Sequence, residues 1–179
     1  MSFKTISRSK LNTAINKHEK WLKHKKGGKM LRLDKYDLTG LDFSGHNLSY
    51  ASMQESIIDE ANFSDCVLDN ANFANSRLHH TSFDNADCTE CDFECADCTE
   101  GSFVSTNFSY AHLNNACFFL AAFSKTKLIN AQAYSTDFRE CDFDECDFTD
   151  IHTDEDTVGY FLTCPEKGSF TAFKKAELY

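Results

Sequence analysis

Residues 61–85 read ANFSDCVLDNANFANSRLHHTSFDN. Cut into fives (ANFSD, CVLDN, ANFAN, SRLHH, TSFDN), they show a large apolar residue at every third position and a very small one at nearly every first. The spacing continues in both directions with no insertion or deletion. Between Leu33 and Phe148 there are 24 central positions, five residues apart. They hold Leu, Phe, Met or Ile except at Cys88, Cys98 and Ala133. From Ala51 onward every first position is Ala, Ser, Thr, Cys or Gly. One large and one tiny inward residue per five fits neither a helix, with a period of about 3.6, nor a strand, with a period of about 2. A short side followed by a tight corner satisfies both. The Asp and Asn common at the second position, and the Ser, Thr and Asp common at the fourth, are turn-forming residues.

These fives resemble the pentapeptide-repeat family, whose consensus is close to A-(D/N)-(L/F)-x-x. The resemblance covers roughly two thirds of the chain. It implies an all-β, right-handed quadrilateral β-helix of about six coils with an N-terminal helical cap. A four-sided coil places every twentieth residue on one wall, and one such column reads Phe43, Phe63, Phe83, Phe103, Phe123 and Phe143. Six phenylalanines at that spacing support the four-sided reading independently. Their rings are expected to stack inside at a coil spacing of about 4.8 Å, giving a rod roughly 29 Å long. The small central residues Cys88, Cys98 and Ala133 are the places where the core is expected to be least filled.

Solenoid ends expose core and backbone and need covering. Residues 9–28, SKLNTAINKHEKWLKHKKGG, read as a helix with Leu11, Ile15, His18 and Leu22 on one face and Trp21 beside them. Gly27 and Gly28 are the expected stop. The expected organisation is a basic N-terminal helix or cap over 1–30, the repeat solenoid over 31–150, and a C-terminal cap or dimer segment over 151–179. The tail after Asp156 leaves the period. It resembles the start of a module that follows the repeats in some family members, around Cys164-Pro165 and Gly168-Ser169-Phe170. Family habit implies a homodimer through this end.

No enzyme is expected. Cys88, Cys91, Cys95 and Cys98 form two C-x-x-C pairs, a spacing that elsewhere marks metal sites. The register separates them: Cys88 and Cys98 are central residues on opposite walls, Cys91 points inward and Cys95 outward. Zn–S bonds of about 2.3 Å cannot join four sulfurs so placed. Neither a metal nor a cofactor is expected. His79 and His80 fall on the outside of their repeat, and a convex rod offers no cleft for a small-molecule substrate. Nine cysteines in no framework spacing, no run of about 18 apolar residues and no secretory signal point to a reduced, cytoplasmic, non-membrane protein.

Charge is segregated. Residues 1–35 carry 11 basic and 2 acidic side chains, whereas residues 36–150 carry 4 basic and 21 acidic, a net of −17. The most acidic wall holds Asp37, Asp59, Glu60, Asp97, Glu100, Asp137 and Glu140. B-DNA carries one charge per roughly 1.7 Å of axis, so a rod of about 29 Å matches some 17 phosphates. Three readings follow. The first is a non-enzymatic scaffold for a protein partner not identified by the sequence. The second is an acidic DNA mimic acting on DNA gyrase or topoisomerase, as some family members do when they protect gyrase from quinolones. The third is nucleic-acid contact through the basic helix, with Lys17, Lys20, Lys23, Lys25 and Lys26.

Overall fold

Every non-proline residue brings one backbone N–H that must find an acceptor, and the repeat gives each of its five a distinct one. The computed structural model describes residues 2–159. Every second-position residue from Arg32 to Gln132 pairs in parallel with the residue 20 further on. Residues 61–65 show the accounting. Asn62 N–H donates to the coil before it, at Leu41 O (3.0 Å), while Phe63 N–H and Asp65 N–H donate to the coil after it, at Ser82 O (2.7 Å) and Asp84 O (2.9 Å). The corner closes with Cys66 N–H donating to Phe63 O at 3.2 Å. That leaves the fourth N–H, on Ser64, which donates to the Asn62 side chain at 3.0 Å.

The same side-chain bond recurs from Asp37 to Thr39, Asp87 to Thr89, Asn107 to Ser109 and Asp147 to Thr149. The Asp and Asn of the second position therefore serve the one donor the ladder leaves over. At some corners an acidic or amide residue one coil earlier takes this N–H instead: Asp59 takes His79 N–H (3.2 Å), Asp84 takes Val104 N–H (3.0 Å) and Asn114 takes Tyr134 N–H (3.1 Å).

First positions do more than stay small. Ser76, Thr81, Cys91, Thr106 and Thr136 each donate from their side chain to a buried central carbonyl 23 residues earlier. The fifth residue makes the corner. All 24 fifth positions from Lys35 to Asp150 have positive φ, between 54° and 69°, and only Gly40 and Gly45 are glycine. With a bond from the first to the fourth residue of the corner, this is the pattern of a type II turn.

Inside, the Phe43, Phe63, Phe83, Phe103, Phe123 and Phe143 rings stack at centroid spacings of 4.5, 5.0, 5.3, 5.1 and 5.0 Å. Rings from adjoining walls meet this column edge-on, as Phe73 meets Phe63 at 5.4 Å and 86°. Such geometry adds about 0.5–1.5 kcal/mol per pair beyond area burial.

The first helix, α1 (Arg8–Leu22), is started by Ser7, whose side chain accepts from Lys10 N–H. Its buried residues Leu11, Ile15 and His18 lie against the first coil, Leu11 and Ile15 in the same core as Leu31 and Leu33. His18 Nδ1 accepts Leu31 N–H at 3.0 Å, and its ring stacks on Trp21 at 5.6 Å. The helix stops earlier than Gly27-Gly28. His24 adopts a φ of 50°, His24 N–H donates to Trp21 O and Lys25 N–H to Lys20 O, which is a Schellman ending without glycine. Gly28 is required by close approach instead. A Cβ there would lie 2.4 Å from Trp21 N, so only glycine lets the returning chain press against the helix.

A short strand before the helix, β1 (Lys4–Thr5), pairs in parallel with β2 (Tyr36–Asp37) at the edge of the first coil. At the other end β3 (Asp137–Phe138) pairs with β4 (Val158–Gly159), Asp137 opposite Val158. That offset is 21 residues, one more than the repeat. Pairing thus runs past Asp150, with one added residue accommodated around Asp154, which accepts Ser135 N–H at 2.8 Å. The expected module around Cys164-Pro165 and Gly168-Ser169-Phe170, and the dimer contact, lie outside the described residues.

Three outcomes test this architecture. Phe83→Ala removes a fully buried ring at the middle of the column and is expected to lower unfolding free energy by about 3–5 kcal/mol in urea titration. Leu120→Gly relieves a half-exposed aliphatic residue at a φ of 59°. The relief of about 1–2 kcal/mol, less about 0.4–1 kcal/mol for the looser unfolded chain, is expected to raise the melting temperature slightly. His18 is held below its ordinary pKa of 6.5 by burial, with the Ser49 carbonyl and Glu19 opposing. A lowered base binds more protons when unfolded, so this contribution is complete above pH 6.5 and declines as pH falls below it. The emission of Trp21 in wild type, against His18→Gln, reads that loss.

Candidate functional site

The acidic surface is built from two kinds of carboxylate. Second-position acids bend back onto their own corner, the fourth-position acids Asp59 and Asp84 are tied to the next coil, and fifth-position acids project. On the richest wall, Asp37, Asp97 and Asp137 are of the first kind, accepting the N–H of Thr39, Thr99 and Arg139 at 3.1, 3.2 and 3.0 Å. The Thr39 hydroxyl and N–H hold Asp37 below the usual carboxylate range. Burial works against Asp97 and Asp137, yet His79 with Thr99, and Arg139, hold them low as well. A lowered acid stabilises the fold above the ordinary carboxylate range and loses that effect as pH falls through its own pKa.

Basic partners occupy this wall too. Asp59 receives Arg77 through both carboxylate oxygens, with Nε at 2.9 Å from Oδ2. Asp97 receives His79 Nε2 at 2.8 Å, and Asp137 receives Arg139 Nε at 2.9 Å. His79 and His80 lie outside but do not stand alone, since His80 Nδ1 approaches Glu100 at 3.4 Å. Seven carboxylates against Arg77 and Arg139 leave this wall at −5, and the adjoining wall, with six carboxylates against Lys125, also stands at −5. The charge encircles the rod. The exposed acids of the first wall, Glu60, Glu100 and Glu140, share one corner column with Gly40, His80 and Leu120.

Most of the described cysteines serve packing. Cys88, Cys91 and Cys98 are fully buried and Cys95 is exposed. The Cys91 thiol is committed to Leu68 O at 3.0 Å. Burial pushes the thiols of Cys88 and Cys98 well up, and those of Cys66 and Cys141 to about 11 and about 12. The described residues contain no group of three or more His, Cys, Asp or Glu placed to hold a metal ion. Nor is any described helix long and apolar enough to cross a membrane.

Reading the sequence in fives does not separate anchored from projecting acids. The signal is present, because second-position Asp is followed two residues on by a residue whose N–H has no ladder partner. It becomes visible only once the ladder is counted. The Arg77–Asp59 pair, 18 residues apart, has no local signature at all.

Among known proteins, a family profile described as pentapeptide repeats matches in eight copies, covering residues 33–65, 47–85, 61–97, 86–124 and 116–151. No curated protein matches. Solved structures similar to this chain include HetL, a pentapeptide repeat protein involved in heterocyst differentiation regulation in the cyanobacterium Nostoc. It is 16% identical, with a TM-score of 0.43, over 75% of this chain and 92% of that one. QnrB1, a plasmid-mediated fluoroquinolone resistance protein, is 17% identical with a TM-score of 0.40, over 72% of this chain and 84% of that one. Rfr23 from the cyanobacterium Cyanothece is 16% identical with a TM-score of 0.31, over 84% and 99%. The profile matches span well over half of the sequence, and the chain belongs to the pentapeptide repeat family.

Proposed function

We propose that this chain is a non-enzymatic scaffold whose acidic corners bind a protein partner. About six coils, closed at one end by residues 1–30, would act in the cytoplasm without cofactor or small-molecule substrate. The observation that carries the reading is the division of the carboxylates. Those at second positions are consumed by the fold, while Glu60, Glu100 and Glu140 project from one corner column and are exposed. A stack of carboxylates 40 residues apart, on a ladder that cannot slide without breaking every pairing, is a rigid ruler for cationic groups on a partner.

A second reading, an acidic DNA mimic acting on DNA gyrase or topoisomerase, is favoured by one quantity. The net charge of −17 over residues 36–150 equals the roughly 17 phosphate charges of duplex about 29 Å long. The spread of charge around the rod, with arginines set into the richest wall, supports the scaffold first.

The two readings separate experimentally. Reversing Glu60, Glu100 and Glu140 to lysine is expected to leave the thermal midpoint within a few degrees of wild type and to reduce partner capture at least tenfold. Asp97→Ala, by contrast, should lower the midpoint, because it frees the Thr99 N–H and His79. The scaffold predicts a discrete partner in a pull-down from the native host that added duplex DNA does not displace. Mimicry predicts inhibition or shielding of gyrase in a supercoiling assay, abolished by the same three reversals. No effect on supercoiling at tens of micromolar removes mimicry, and capture unchanged by the reversals removes the acidic corner as the binding surface.

A further inference from the structure

The sides of the rod are convex, but the N-terminal end is not. Between α1 and the first coil runs a groove of about 450 Å³ with an apolar floor that includes Ile6, Ala14, Leu31, Leu33 and Tyr36. Its rim carries Lys10, Lys17, Lys29 and Arg32, and no carboxylate lines it. Those four cations enter no ion pair among the described residues, in a protein whose repeats are strongly acidic.

The backbone along this floor is unfinished. Ser52 pairs with the first coil through its own N–H, to Leu31 O at 3.1 Å, and its own C=O, from Leu33 N–H at 2.7 Å. The equivalent N–H and C=O of Arg32 face away from Ser52, and neither has a hydrogen-bond partner among the described residues. One corner further on, the same edge is covered: Lys4–Thr5 lies in parallel on Tyr36–Asp37, with Lys4 N–H donating to Lys35 O at 3.0 Å. The first coil is thus paired on that wall and open on the wall beside the groove.

We propose that this groove receives an extended acidic segment of a partner protein as an added β-strand. Its backbone would pair with Arg32, as Lys4–Thr5 pairs with Tyr36–Asp37. In a strand, successive side chains point to opposite faces. A segment alternating Glu or Asp with apolar residues would set the apolar ones on the partly buried floor at Ile6, Ala14 and Tyr36 and the carboxylates against Lys10, Lys17 and Lys29. Duplex DNA satisfies the cations but has no use for the apolar floor or the open backbone edge, so the peptide is the better fit. The site is separate from the acidic corners, and its failure would leave them untouched.

The test uses the full chain and a fluorescein-labelled octapeptide alternating glutamate and valine, read by anisotropy at low salt. Saturable binding is expected, weakening at least tenfold when lysine replaces glutamate, when alternate peptide nitrogens are methylated, or when the protein carries Lys10→Glu with Lys17→Glu. Hydrogen exchange at the Arg32 amide should slow on binding. That readout holds even where a variant folds poorly. Equal affinity for the N-methylated peptide, an unchanged Arg32 amide, no saturation by millimolar peptide, or displacement of the peptide by stoichiometric duplex DNA would each overturn the proposal.

Discussion

A right-angle corner every five residues is the constraint from which the molecule follows. Turning so tightly with an i to i+3 hydrogen bond needs a residue of positive φ, and 22 of the 24 corner residues are not glycine. Each L-residue there costs about 1–2 kcal/mol, with Asn and Asp at the low end. Such a cost is tolerable only where the surroundings over-determine the backbone. Here they do. Four of the five N–H groups go to ladder or corner carbonyls, the fifth to a side chain, and the large central residue of each side fills the interior. No single coil achieves this, since three of its five N–H groups reach into neighbouring coils. The fold is therefore stable only as a stack, as expected of repeats that bury their faces against one another.

The same accounting reshapes the meaning of the surface charge. An Asp at a second position completes the hydrogen bonding of its own corner, and its negative charge is partly a by-product of that role. Asn does the same at Asn47, Asn62, Asn72 and Asn107 without charge. Carboxylates at corner residues have no such structural duty, which is why function is sought there. Arg77 and Arg139 sit where they hold acids of the ladder in place, so the wall with the most carboxylates is also the one most internally compensated.

At the ends, repetition gives out and each solution is particular. The N-terminal helix lays Leu11 and Ile15 on the open core and satisfies Leu31 N–H through His18, making a buried imidazole a structural acceptor. The far end inserts one residue and uses Asp154 to take up the slack. The N-terminal helix supplies apolar cover and one backbone acceptor, both of which an interior coil obtains from the next copy of itself.

Much of the interior is legible in the chain itself. A large residue at every third place and a tiny one at every first specify which side chains face inward, and the recurrence of phenylalanine at 20-residue intervals specifies which of them share a column. Those features are local or strictly periodic, so no knowledge of distant contacts is needed to read them. The acids of the second position are legible only as turn formers, and Gly27-Gly28 reads as the stop of α1 although His24 adopts the left-handed turn. The hydroxyl and thiol bonds across 23 residues, the pairing of Asp59 with Arg77, the role of Gly28 against Trp21 and the groove beside Arg32 belong to the tertiary structure. Each depends on groups brought together by stacking or docking, and a five-residue pattern contains no information about which donors the ladder will leave unpaired or which edge the helix will leave open.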